Sequence, residues 1–309
     1  MDQANNLRVL INKQQPTDNI VVTKEEAPEI GVNPALSSRV ITIASGKGGV
    51  GKTNFTINLA ICLSRMKHRV VIIDADFGLS NIEIILGVIP RYSFADVVNG
   101  QMNILDALTD CETGIKFISG GSGFKDLAYV TEEQMANVIR NFTVLDAISD
   151  VILIDTGAGI SNSVMNFITA SDEAIIVTTP EPTAITDAYA LIKTAKETVK
   201  KQNKTMPNFK LIINKVDYED EGFEVFQKLN RVTERFLDIK LKYAGAIPYD
   251  NNLVKAVKKQ QPVTTLFPGT IFSKAIGKIS GQLVDDRQTK KEPLGIISFM
   301  KRLTGIFGN

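Results

Sequence analysis

The stretch Gly46-Lys47-Gly48-Gly49-Val50-Gly51-Lys52-Thr53 constrains this chain more than any other. It satisfies the pattern G-x-x-x-x-G-K-T. It lies between an apolar run, Val40 to Ala44, and a segment, Lys52 to Met66, with apolar residues at Phe55, Leu59, Cys62, Leu63 and Met66. A strand, a glycine-rich turn and a helix are the context in which such a loop cradles phosphate. The glycines let successive backbone N–H groups turn inward around an anion. Lys52 adds a point charge near the outer phosphates, and the Thr53 hydroxyl can serve Mg2+. Gly48, Gly49, Val50, Gly51, Lys52, Thr53 and Asn54 are therefore the expected phosphate-binding residues.

The rest of the chain agrees with a parallel sheet. Compact apolar runs recur at Val70 to Ile73, Val151 to Ile154, Ala174 to Thr178, Leu211 to Ile213 and Tyr243 to Ile247, each bounded by polar or turn residues. Helices are expected around Asn162 to Thr169, Ala184 to Lys201, Phe223 to Phe236 and Ile271 to Leu283. Alternation of this kind predicts an α/β fold, a mostly parallel twisted sheet covered by helices on both faces. Lysine and arginine total 35 against 34 acidic residues, so the net charge of +1 supplies no field that would draw the chain to nucleic acid, and none is expected as a partner. Cys62 and Cys111 form no CxxC pair, which argues against a disulfide framework or a zinc site and fits a reducing cytoplasm. No run reaches the roughly 18 apolar residues of a membrane span, and Met1 to Arg8 lacks the apolar stretch of a secretory signal. Pro16, Pro28 and Pro34 punctuate a linker. The expected division is an N-terminal segment and linker over 1–38, a nucleotide-binding domain over 39–285, and a linker with a C-terminal amphipathic helix over 286–309.

Two further strand ends carry carboxylates. Asp74-Ala75-Asp76 follows the second apolar run, and Ile152-Leu153-Ile154-Asp155 leads into Thr156-Gly157-Ala158-Gly159. Carboxyl ends of strands are where open α/β sheets bind ligands, and Asp155 there suits an Mg2+ that keeps several of its waters. Asn214-Lys215-Val216-Asp217 has the form of the element that reads guanine, which leaves GTP open beside ATP.

The sequence K-G-G-V-G-K-T resembles the deviant Walker A loop of the MinD/ParA ATPases, P-loop proteins of the SIMIBI class. That resemblance implies a use for the second lysine: Lys47 reaches across an ATP-dependent homodimer to the partner's phosphates and acts with Lys52 in catalysis. It further implies that Asp76 orients the attacking water, that Thr53, Asp74 and Asp155 serve Mg2+, and that Asn214 and Pro248 flank adenine. Met1-Asp2-Gln3-Ala4-Asn5-Asn6-Leu7-Arg8 resembles the D-Q-A-x-x-L-R signature of the FlhG (YlxH/FleN) family, which controls flagellar number and placement. By that likeness Asp2, Gln3, Ala4, Leu7 and Arg8 engage an FlhF-like GTPase, and flagellar basal-body (C-ring) components are further partners.

At the other end Ile296, Phe299, Met300, Leu303 and Phe307 fall on one side of a helical wheel, with Lys301 and Arg302 off it. Such a helix can lie on an anionic membrane surface, as the family's C-terminal helix does, or pack on the core. The first option implies a cytoplasmic protein peripheral on the cytoplasmic face of the cell membrane. Gly295 and Gly305 are each expected to weaken that helix by ~1 kcal/mol. A MinD cell-division ATPase, a ParA-like partitioning ATPase and a non-enzymatic flagellar scaffold are the competing readings. The N-terminal extension speaks against the first and the balanced charge against the second. The complete set of phosphate-site residues speaks against the third.

Overall fold

The computed structural model describes residues 37–76, 81–121, 131–285 and 295–305. All belong to one unit, Pro34–Asn309, and the other unit, Met1–Asn33, lies outside the described residues. The expected partner-binding residues Asp2, Gln3, Ala4, Leu7 and Arg8 therefore lie outside them, as do Phe307 and the linker 286–293.

The apolar runs become strands β1 (Arg39–Ser45), β2 (Val70–Ala75), β5 (Val151–Ala158), β6 (Glu173–Thr178), β7 (Asn208–Val216) and β8 (Lys242–Pro248), joined by short β3 (Thr109–Asp110) and β4 (Lys116–Ile118). Their order in the sheet is β3-β4-β2-β5-β1-β6-β7-β8. Every neighbouring pair is parallel except β3 with β4. Successive strand side chains point to opposite faces. Ile41, Ile43, Ile72 and Leu153 accordingly join one core with Phe55 and Phe272, while Val40, Val71, Ile73 and Ile154 join another with Phe142 and Phe167. Two buried faces explain why these strands read as unbroken apolar runs.

The described helices are α1 (Lys52–Arg65), α2 (Asn81–Leu86), α3 (Phe94–Val98), α4 (Glu132–Ile148), α5 (Asn162–Ala170), α6 (Pro182–Lys201), α7 (Glu219–Leu237), α8 (Asn251–Lys258), α9 (Val263–Leu266), α10 (Ile271–Asp285) and α11 (Gly295–Thr304). Helices α1 and α10 pack together on one face, and α4, α5 and α11 on the other. The expected helices are all present. Additional ones are α2, α3, α8 and α9, all short, and α4, whose Val138, Phe142 and Leu145 are fully buried at helical spacing.

At the edge of the sheet where the strands begin, three charges meet out of solvent. Glu173 accepts from Arg39 Nε on Oε1 at 2.7 Å and from Nη2 on Oε2 at 2.8 Å, and Lys210 Nζ lies 2.9 Å from the same Oε2. Burial pushes the Glu173 carboxyl up, but the hydrogen bonds and charge of Arg39, with Lys210, outweigh it and hold its pKa down to about 2. A carboxyl depressed from 4.5 to about 2 contributes stability that is complete above about pH 4.5 and is lost as pH falls from there through 2. The amount is about 3 kcal/mol. Glu173→Gln keeps the shape but leaves two buried cations without their anion, so a loss of about 3–5 kcal/mol is expected. Chemical denaturation at pH 7 checks it. A change below 1 kcal/mol (about a fivefold shift in the folding equilibrium) refutes it.

The C-terminal helix does not present its apolar face outward. Ile296, Phe299 and Met300 are 0%, 1% and 0% exposed, the Phe299 ring stacks on Phe167 with centroids 6.3 Å apart, and Leu303 packs partly buried on the same core. These side chains, expected to meet lipid, occupy the protein's own interior here. Contact with a membrane through this face requires the helix to leave. Gly295, with φ 78°, opens the helix and Gly305, with φ 70°, follows its last residue, so they bound it instead of interrupting it. Among the described residues no helix is long and apolar enough to cross a membrane.

Candidate functional site

Parallel strands put their carboxyl ends on one edge, and that edge gathers most of the expected site. The loop after β1 leads into α1, which starts on Gly51 with φ 92°, a backbone conformation that side chains other than glycine rarely adopt. A Cβ on Gly51 would stand 2.4 Å from Asn214 Nδ2, and one on Gly46 only 2.3 Å from the Asp187 backbone. The first turn of α1 has no side-chain cap and no acidic residue. Its N–H groups and positive dipole end are therefore left for an anion. At Gly48 and Gly49 a Cβ would meet nothing within 4 Å, so the protein itself leaves space beside the loop there.

Beneath the loop, three side chains of α1 converge on one carboxylate of β5. Lys52 Nζ donates to Asp155 Oδ1 at 2.9 Å, Thr56 Oγ1 to the same oxygen at 2.8 Å, and Thr53 Oγ1 to Oδ2 at 2.7 Å. Lys52 is 7% and Asp155 1% exposed. Beside them on β2, Asp74 is buried and takes the Asp76 N–H on Oδ1 at 3.0 Å. Burial first, and then the neighbouring charge of Asp155, push the Asp74 carboxyl up to about 7, against the Asp76 N–H and Lys52, which pull it down. Asp76 lies against the end of β5, with Oδ1 3.4 Å from where a Cβ on Gly157 would be.

The two loop lysines have different surroundings. Lys47 is 40% exposed and donates to Glu181 Oε2 at 2.8 Å and Thr183 Oγ1 at 3.1 Å, at the start of α6. That hydrogen bond, more than the charge, holds the Glu181 carboxyl below its ordinary value. On the far side Asn214, expected beside the base, braces the loop instead: its Nδ2 donates to Val50 O at 2.7 Å while its Oδ1 takes the Lys215 N–H at 2.9 Å. Lys215 Nζ adds a bond to Gly49 O at 2.8 Å. Pro248 ends β8 next to Val216, and Tyr249 N donates to Val216 O at 3.0 Å, so the Pro248 turn is tied to the strand that carries Asn214. Of the expected set, Lys52, Thr53 and Asp155 are in direct contact. Asp74 and Asp76 border them, and Lys47, Asn214 and Pro248 stand around the rim.

The donor set fits a nucleotide with Mg2+. Two carboxylates pressed together in a buried site, with a hydroxyl beside them, are hard oxygen groups too few to enclose a cation. This is the arrangement for Mg2+, which keeps waters and takes phosphate oxygens. Among the described residues no group of three or more His, Cys, Asp or Glu is placed to hold a metal. Thr56, Glu181, Thr183 and Lys215 escaped the sequence reading. None belongs to the motif, and the partners of the first three lie about a hundred or more positions away. Lys215 alone had a signal, standing within Asn214-Lys215-Val216-Asp217.

Comparison with known proteins agrees with the geometry. The model of the CobQ/CobB/MinD/ParA nucleotide binding domain matches residues 41–263. The chain is 39% identical to the antiactivator FleN of Pseudomonas aeruginosa over 84% of this chain and 91% of that protein. It is 34% identical to the flagellum site-determining protein YlxH of Helicobacter pylori over 96% of this chain and 99% of that one. Among solved structures, the septum site-determining protein MinD of Pyrococcus horikoshii, complexed with Mg-ADP, superposes with a TM-score of 0.62 at 24% identity, over 82% of this chain and all of that one, which speaks to the fold.

Proposed function

The chain belongs to the CobQ/CobB/MinD/ParA nucleotide-binding family and is an ATPase, and we propose that it is a dimerising, membrane-associating switch of the FlhG (YlxH/FleN) type that sets flagellar number and placement. Bound Mg2+ supplies a Lewis acid on the phosphates. The chain's own groups do the rest. The Gly48–Asn54 backbone and Lys52 hold the phosphates, while Thr53, Asp74 and Asp155 stand on the metal side. Asp76 orients water, and Asn214 and Pro248 border the base. One observation carries the switch reading: Lys52 is buried on Asp155, whereas Lys47 stands on the loop's outer rim, where a second copy of the chain can be reached.

In this reading the membrane form is the one in which α11 has left the core, and the N-terminal segment stimulates an FlhF-like GTPase. YlxH, named as a flagellum site-determining protein and covered almost end to end, supports the flagellar assignment. Deleting Asp2 through Arg8 is expected to abolish stimulation of an FlhF-like GTPase while ATP turnover stays unchanged. Steady-state GTP hydrolysis with added full-length or shortened chain measures this. Full stimulation by the shortened chain sinks the assignment of the segment.

A further inference from the structure

Threonines in the helices of this chain commonly turn their hydroxyl back on the preceding turn. Thr143 donates to Ile139 O at 3.1 Å, Thr186 to Pro182 O at 2.9 Å, Thr194 to Ala190 O at 2.9 Å and Thr198 to Thr194 O at 2.9 Å. Thr56 has the same option, Lys52 O at 3.1 Å, but it also faces Asp155 Oδ1 at 2.8 Å, from a strand 99 positions away. One hydroxyl has one proton to give. The carboxylate is both the nearer and the charged acceptor, and bonds to charged acceptors are the stronger ones.

The consequence falls on how Asp155 is turned. Its Oδ1 takes two donors, Lys52 and Thr56, and its Oδ2 takes Thr53. Without Thr56 the carboxylate is held on one side by Lys52 alone, whose flexible stem and single charge fix distance better than orientation. We propose that Thr56 is a positioning residue: its hydroxyl locks Asp155 Oδ1, so that Oδ2 is presented on the Thr53 side, where the cation of a magnesium nucleotide is met. Thr56 is 0% exposed, so it touches neither nucleotide nor solvent and acts through Asp155 alone.

This inference rests on reading Asp155 as the metal-side carboxylate, so the test keeps the two apart. The full-length protein is titrated with a fluorescent ADP analogue in EDTA and at graded Mg2+. Thr56→Val, which keeps the shape and removes the hydroxyl, is expected to raise the Mg2+ concentration for half-maximal effect by about 10-fold or more while affinity in EDTA stays within about two-fold. Thr56→Ser restores the unaltered Mg2+ dependence. Unchanged Mg2+ dependence in Thr56→Val overturns the proposal, and so does an equal fall in affinity with and without Mg2+, which marks a packing residue. Should Thr56→Val not fold, the Ser and Ala variants at 56 differ by the hydroxyl alone and decide in its place. Asp155→Asn separates the premise. If it leaves the Mg2+ dependence intact, the reading of Asp155 falls; if it abolishes that dependence and Thr56→Val does not disturb it, only the role of Thr56 falls.

Discussion

Lys47→Ala is expected to lower ATP turnover by about 10²–10³-fold, the usual cost of removing one donor aimed at charge that develops in the transition state. Affinity for ATP is expected to stay nearly unchanged, because the phosphates in the ground state are met by the loop N–H groups and Lys52. The fold has little stake in Lys47: its ion pair with Glu181 is exposed, and exposed pairs contribute little. Lys52→Ala differs on both counts. Lys52 and Asp155 are buried together, so its removal strips ground-state binding and leaves a buried carboxylate without its counter-charge. The split between kcat and KM therefore tells the two lysines apart.

Mixing variants tests whether Lys47 works in the partner's site. Asp76→Ala and Lys47→Ala should each be nearly inactive alone. If the site takes Asp76 from one chain and Lys47 from the other, an equal mixture regains about a quarter of the active sites, because half of the dimers are mixed and each has one intact site. No recovery in the mixture, with both variants dimerising in ATP, places Lys47 in its own chain's site or in none.

Much of this architecture is legible in the sequence because its causes are local. Gly51 has to be a glycine where the chain takes φ 92°, and strands covered on both faces have to read as apolar runs. What escapes is pairing at long separation. Nothing about Glu181 within Thr178-Thr179-Pro180-Glu181-Pro182 announces a bond to Lys47, and nothing about Asp146 on α4 announces that it collects both ends of the fold. The C-terminal helix is the instructive case. Its apolar side does turn away from water at Ile296, Phe299, Met300 and, in part, Leu303, but a wheel reports only that one side avoids water. A lipid surface and the groove beside Phe167 satisfy that requirement equally.

That equivalence determines what controls the helix, and it leads to the second large effect. Burying Ile296, Phe299 and Met300 is worth about 1.5–3 kcal/mol each, but a membrane would return nearly the same gain, so in the proposed switch these residues set the strength of both states and the choice of neither. The polar contacts belong to the core alone. Asp146 Oδ1 takes Ile296 N at 3.1 Å and Ser38 N at 3.0 Å, and the Ser38 hydroxyl as well. At the far end Arg302 pairs with Asp172 at 2.8 Å, and Lys204 Nζ donates to Arg302 O at 2.8 Å. Asp146→Ala leaves buried N–H donors without partners, at about 1–3 kcal/mol each. Departure of the helix relieves the one on Ile296. The docking equilibrium is therefore expected to shift outward by about 10–100-fold. In flotation with anionic liposomes in ADP, the unaltered chain should stay below the vesicles and Asp146→Ala should rise with them. Asp146→Asn, whose amide oxygen still accepts, should fall between, and removal of residues 295–309 should abolish flotation in every background. If Asp146→Ala melts earlier yet floats no more than the unaltered chain, the contact only braces the fold. If it floats, this one carboxylate holds the helix back on the core.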